Sequence, residues 1–243
     1  MIRKPMTTRT RRTHRQAGTG LVEILIAMVI SLFLLSGVVV MFVNMQKTFT
    51  GQDQLAQLQD NERLALTIAT NTVQSAGYFP NPLVNTAVTA LPGGSGVAAG
   101  QAVFGTSGTG GGSNSDTLTT QFAAASGDSV TNCLGQTNTT SGQVAYINTL
   151  SVSANNELQC SVNGQAAVPL VSGVSAFSVL YGTDTNNDGN NDAYLTAAQV
   201  SAGNLWSAVH TVKVVLKFAT QFGSETGLAP KPWTQTISVK NQP

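Results

Sequence analysis

Two stretches of this 243-residue sequence hold residues whose types and spacing could do chemistry. In DTNNDGNND, residues 184–192, Asp184, Asn186, Asp188 and Asp192 stand at positions 1, 3, 5 and 9 of a calcium-loop pattern. Gly189 sits at the turn, and Asn190 can offer its carbonyl. Hard oxygens at alternate positions suit calcium. Leu195, however, stands at position 12, where the pattern carries a bidentate glutamate, and a strand-like run precedes the loop instead of a helix. A site there is expected to be structural and weak. The competing reading is an Asp/Asn-rich turn whose side chains bond its own backbone. The second stretch is residues 21–43, a long apolar run charged only at Glu23. A lone carboxylate in hydrocarbon costs at least about 2.5 kcal/mol, so its retention asks for a use.

Catalysis finds little support. His14 lies among basic residues near the N terminus and His210 opens an apolar run, so no Ser/His/Asp or histidine cluster assembles. GTGGGSNS lacks the Lys-Ser/Thr of a phosphate-binding loop. No enzyme activity and no required cofactor are expected, structural calcium being the one candidate. Trp206 and Trp233 read as core or interface anchors, and Asn138-Thr-Thr is a glycosylation sequon by pattern only.

The elements that must position these residues begin with a charge asymmetry. Arg3, Lys4, Arg9, Arg11, Arg12 and Arg15 precede residue 18 with no acid among them, whereas residues from 19 onward hold six Lys/Arg against eleven Asp/Glu. A basic N terminus also suits nucleic acid. Placed directly before a long apolar run it instead sets membrane orientation, with the positive flank cytoplasmic. No nucleic-acid binding is expected, and the C-terminal part should lie outside the cytoplasm. Cys133 and Cys160 then read as one disulfide of an exported domain, worth about 3 kcal/mol in the loop-entropy model. The alternative is two buried free thiols.

Residues 21–43 are long enough to span about 30 Å of hydrocarbon. The run is longer than the core of a removable secretory signal, and no small-x-small cleavage site follows it. No proline occurs between residues 19 and 76, and apolar or small residues at Leu55, Leu58, Ala65, Leu66, Ala69, Val73 and Ala76 keep helical spacing. Gly77 and YFPNP then stop the helix. The expectation is one helix over 19–77, about 85 Å long at about 1.5 Å per residue, burying a Leu58–Leu66–Val73 face.

The basic leader ending at Gly18, with Glu23 fifth after it, resembles the class III signal of type IV prepilins. The resemblance implies a leader of residues 1–18, cleavage between Gly18 and Thr19 by a prepilin peptidase, and N-methylation of Thr19. It also implies that Glu23 sets register by pairing with a neighbour's amino terminus. Further on, LAQLQDNERLALTIATNTVQSAGY, NCLGQ, LQCSVNG, LVSGVSAFSVLYGTDTNNDGNNDAY and ISVKNQP are similar, in order, to blocks of PilW-type minor pilins.

Strand candidates are 117–122, 143–150, 158–162, 174–181, 210–218 and 234–239, rich in Val, Thr and aromatics. Residues 196–206 suit a short helix or turn, and Gly/Ser-rich 91–116 suits a mobile excursion. A long helix followed by strands gives an α+β, pilin-like fold with a β-rich domain over 78–243. The resemblance implies a minor pilin of a priming or tip complex for type IV pilus assembly. It would reside in the bacterial inner membrane with its C-terminal domain periplasmic, then enter the pilus. Its implied partners are the prepilin peptidase, the inner-membrane platform, other minor pilins and the major pilin. A type II secretion minor pseudopilin and a signal-anchored periplasmic binding or adhesion domain are the alternatives.

Overall fold

The structure, a computed structural model, describes residues 20–108, 115–218 and 232–241. The chain divides into two compact units, Met1–Gln54 and Leu55–Pro243. Helix α1 (Leu21–Gln74) contributes to both.

In the first unit, residues 20–50 are exposed on every side of the helix. Phe33, Leu34 and Met41 stand among them with nothing covering them. A helix that is apolar all round is a buried or membrane segment, and this one is long and apolar enough to cross a membrane. Its polar residues are accommodated locally: Ser31 donates to the Met28 carbonyl at 2.9 Å and Ser36 to that of Phe33 at 2.7 Å.

In the second unit α1 ends at Gln74 and a turn carries the chain to Gly77, which takes φ of 77°. A left-handed residue after a helix is the usual glycine stop. Here the Gly77 N–H also bonds the Gln121 carbonyl at 2.8 Å. A single helical turn follows, α2 (Ala87–Ala90), with Thr86 and Thr89 forming a capping box.

Five strands, β1 (Val103–Thr106), β2 (Thr117–Ala124), β3 (Val144–Val152), β4 (Glu157–Val162) and β5 (Val168–Ser172), form an antiparallel sheet in chain order. A second antiparallel sheet runs β7-β6-β8-β9, from β6 (Val174–Thr183), β7 (Ala193–Leu195), β8 (Val209–Phe218) and β9 (Trp233–Ser238). Helix α3 (Ala197–Ala202) and a 3-10 turn (Trp206–Ala208) lie between β7 and β8. The α+β expectation holds.

Alternation decides which faces are buried. Leu118, Leu150, Val152, Leu158 and Cys160 of the first sheet share one core with Phe177, Val179, Tyr181, Val212, Val214 and Leu216 of the second. Ser115 and Asp116 staple the sheets. The Asp116 N–H reaches the Phe177 carbonyl at 2.8 Å, the Phe177 N–H reaches Ser115 Oγ at 3.2 Å, and the Val179 N–H reaches Asp116 Oδ2 at 2.8 Å.

Helix α1 enters this core with the expected face, but its small residues and not its leucines go deepest. Ala65, Ala69, Val73 and Ala76 are buried, while Leu58 and Leu66 sit at the rim, partly covered. Small side chains let the helix backbone approach the sheets, and the leucines seal its flanks.

The reading of 91–116 as one mobile excursion is corrected. Strand β1 lies within it, and Leu91, Val97, Ala102 and Val103 are buried. Gln121 holds the segment down, accepting the Gly93 N–H at 2.8 Å and donating to the Gln101 carbonyl at 3.3 Å. Glycines with positive φ at 93, 94, 96 and 100 turn the chain back over β2, so here glycine supplies tight turns. Residues 109–114 lie outside the described ones.

Candidate functional site

Gly18, Thr19 and the basic leader lie outside the described residues. Glu23 falls in the first turn of α1, where the N-terminal end of the helix dipole favours an acid. Its N–H bonds the Gly20 carbonyl at 2.9 Å. The Glu23 carboxylate, unlike the serines along the same helix, has no hydrogen-bond partner among the described residues.

Cys133 and Cys160 form a disulfide with Cα atoms 6.3 Å apart, so the reading as free thiols is set aside. It fastens the 131–137 loop onto β4. The loop is shaped by Asn132, whose Oδ1 accepts N–H groups from Leu134 and Gln136, both at 3.0 Å.

Residues 184–192 form a turn that closes on itself. Asp184, 1% exposed, accepts the Gly189 N–H at 2.8 Å and the Asp188 N–H at 3.3 Å. Asn186 Oδ1 accepts from the Asp188 N–H at 2.9 Å, and Asp188 Oδ1 from the Asn190 N–H at 2.8 Å. Asp192 Oδ2 accepts from the Thr185 hydroxyl at 2.6 Å and the Thr185 N–H at 2.8 Å. These bonds, the hydroxyl's first, hold the Asp192 carboxyl below its ordinary range. Asn186 Nδ2 lies between the outer carboxylates, 3.3 Å from Asp188 Oδ2 and 3.2 Å from Asp192 Oδ1. The Asn186 amide therefore stands where a cation would draw these oxygens together. Among the described residues no three His, Cys, Asp or Glu side chains gather as a metal-binding group.

The remaining sequence candidates take structural places. Trp206 packs on Phe104 and edge-on to Tyr181, with ring centroids 5.0 and 4.9 Å away. His210 stands near the start of β8, where its carbonyl accepts the Val239 N–H at 2.9 Å. Asn138 is buried and donates to the carbonyls of Ala124 at 2.9 Å and Gly142 at 2.6 Å, so in the folded domain the sequon is closed to modification.

Sequence reasoning missed a groove of about 550 Å³ beside β9. Gln59, Arg63, Leu66, Thr67, Thr70 and Asn71 of α1 line one wall, with Trp233 and Gln235 opposite. Glu62 lies at the same place, buried, and accepts a hydrogen bond from the Trp233 side chain. Burial pushes the Glu62 carboxyl above its ordinary value, and the bond from Trp233 opposes that rise. One signal was in the sequence: Arg63 is the single Lys/Arg between Lys47 and Lys213.

Residues 136–235 match the family described as Type IV Pilus-assembly protein W, PilW. The match runs from the end of the disulfide-bonded loop to the start of β9, and so takes in β3 to β8 and the 184–192 turn but neither β1 nor β2. No curated protein matches the chain. PilW is a pilus-assembly family and not a known enzyme family. By this match, residues 136–235 are similar to the PilW-type assembly proteins of the type IV pilus.

Proposed function

We propose that this chain is a minor pilin of a priming or tip complex for type IV pilus assembly. It is inserted in the bacterial inner membrane, with its C-terminal domain in the periplasm. A prepilin peptidase cuts between Gly18 and Thr19 and the new amino terminus is methylated. The apolar half of α1 then leaves lipid for a filament of packed helices. There Glu23 pairs with the amino terminus of a neighbouring subunit. Each charge offsets the other's desolvation, and a subunit out of register leaves both unpaired. The partners are the platform protein, other minor pilins and the major pilin. Calcium at 184–192 belongs to the proposal as a weak structural ligand competing with the Asn186 amide.

The observation that carries this reading is the contrast within residues 21–43. Ser31 and Ser36 satisfy themselves on their own helix, and Glu23 has no hydrogen-bond partner among the described residues. In a plain anchor the helix dipole alone favours such a carboxylate; a filament adds a charged partner for it. Glu23→Ala should leave the protein in the membrane fraction and abolish its co-isolation with pilus subunits. Normal piliation and normal co-isolation in that variant would remove the register role. Co-isolation of the wild-type chain with secretion-machine components in place of the major pilin would favour the type II pseudopilin.

A further inference from the structure

Among the described residues strand β9 ends the second sheet, pairing with β8 on one side only, and none of its residues, WTQTIS, is charged. Native edges are usually blunted by charge, by proline or by a covering element, and an uncharged open edge is a template for another strand. Along β9 runs the groove described above. Trp233, 42% exposed, presents its ring there while its side-chain donor is held by buried Glu62. The ring is thus fixed in place, as an anchor for an incoming side chain should be. Opposite stands Arg63, exposed, with no partner for its guanidinium among the described residues. Gln59, Gln235, Thr67, Thr70 and Asn71 complete walls rich in amides and hydroxyls.

We infer that the groove receives an extended, acid-bearing segment of another pilus subunit, which adds as a strand to β9. Backbone pairing along the edge supplies affinity, as in other cases of strand addition. A carboxylate of the incoming segment pairs with Arg63, and an apolar side chain packs on Trp233. Charge selects this occupant: Arg63 is the single Lys/Arg from residue 48 to residue 212, so over that length the groove is where an acid finds a partner. Arginine also binds carboxylates through two parallel N–H groups, which fixes direction as well as affinity. The inference rests on the pilus-assembly reading and adds to it where the globular domain takes a partner.

The test is site-specific photo-crosslinking in piliated cells with the full-length chain, the probe replacing Gln235 in the groove or Tyr194 on the opposite edge strand β7. The expected result is an adduct with another pilus subunit from position 235 and none from 194. Mapping should place the adduct in an extended segment carrying Asp or Glu, and Arg63→Glu should weaken it about tenfold. Arg63→Glu lies on an exposed position, so the disulfide should still form and report that the domain folds. No adduct from position 235, in a chain that still co-isolates with pilus subunits, overturns the groove and leaves the pilus reading standing. An adduct to a second copy of this chain, or one indifferent to Arg63→Glu, also overturns it. Failure of the unmodified chain to co-isolate with pilus subunits overturns both.

Discussion

The left-handed turn at Gly77 lies directly against the carbonyl of Asn241, so that a Cβ on Gly77 would collide with it. The Asn241 side chain completes the arrangement, donating to the carbonyls of Gln74 at 3.4 Å and Ala76 at 3.5 Å. Helix ends leave carbonyls without partners, and here the C-terminal residues supply the donor. Gly77→Ala should therefore lose the left-handed conformation, worth about 1–2 kcal/mol, and also displace Asn241. A fall in the thermal midpoint of the purified full-length chain is the expected outcome, whereas Gly51→Ala, inside α1, should cause none.

Glu62→Gln should stabilise the domain at neutral pH. Burial raises the folded-state value of Glu62, so its contribution is full below the ordinary carboxylate range and is lost as pH rises through the raised value. Glutamine keeps an acceptor for Trp233 and removes the charge. Thermal unfolding between pH 4 and pH 8 should show the wild type losing more stability with rising pH than the variant; equal slopes would contradict this.

The sequence made some of this legible and hid the rest for a physical reason. Hydropathy and helix-stop chemistry are local, so the apolar span, the lone Glu23 and the halt at Gly77 can be read directly. The strands rich in Val, Thr and aromatic residues, β2, β3, β4, β6, β8 and β9, are visible for the same reason. Strand β5 was not, because Pro169 argues against a strand; it is tolerated there because β5 is an edge. Relationships made by the fold were out of reach. Asn241 meets Gln74 across 167 positions, and Asn61 donates to the Ser172 carbonyl across 111. The groove joins Arg63 to Trp233, which share no sequence pattern. In α1 the periodicity was right, but it favoured leucines over the alanines that the closest approach requires.

Removal of the disulfide should be costly yet survivable. Cys133→Ala with Cys160→Ala frees the loop between positions 27 apart, for a loss of about 3 kcal/mol. Alanine suits the fully buried position 160 better than serine, which would leave a hydroxyl unpaired. A lower urea midpoint with a somewhat larger m-value, because the uncrosslinked denatured chain exposes more surface, is the expected result; an unchanged midpoint would show that the loop is held by Asn132 and its neighbours alone.

Calcium binding at 184–192 should be weak, in the range of about 10⁻⁴–10⁻³ M seen for extracellular modules. A calcium ion must displace the Asn186 amide from Asp188 and Asp192, and no glutamate closes the loop at Leu195. Calcium at ten times such a constant should raise the thermal midpoint by a few degrees through linkage, and Asp188→Ala should abolish the rise. No shift at 10 mM calcium would remove the metal from the proposal.

Intact mass spectrometry of the chain purified from its native membrane or pilus fraction tests the central proposal most directly. A mass corresponding to a chain that begins at N-methyl-Thr19, with one disulfide, is the result expected of a processed pilin. A mass that retains Met1 and the basic leader would contradict it and leave a signal-anchored domain in its place.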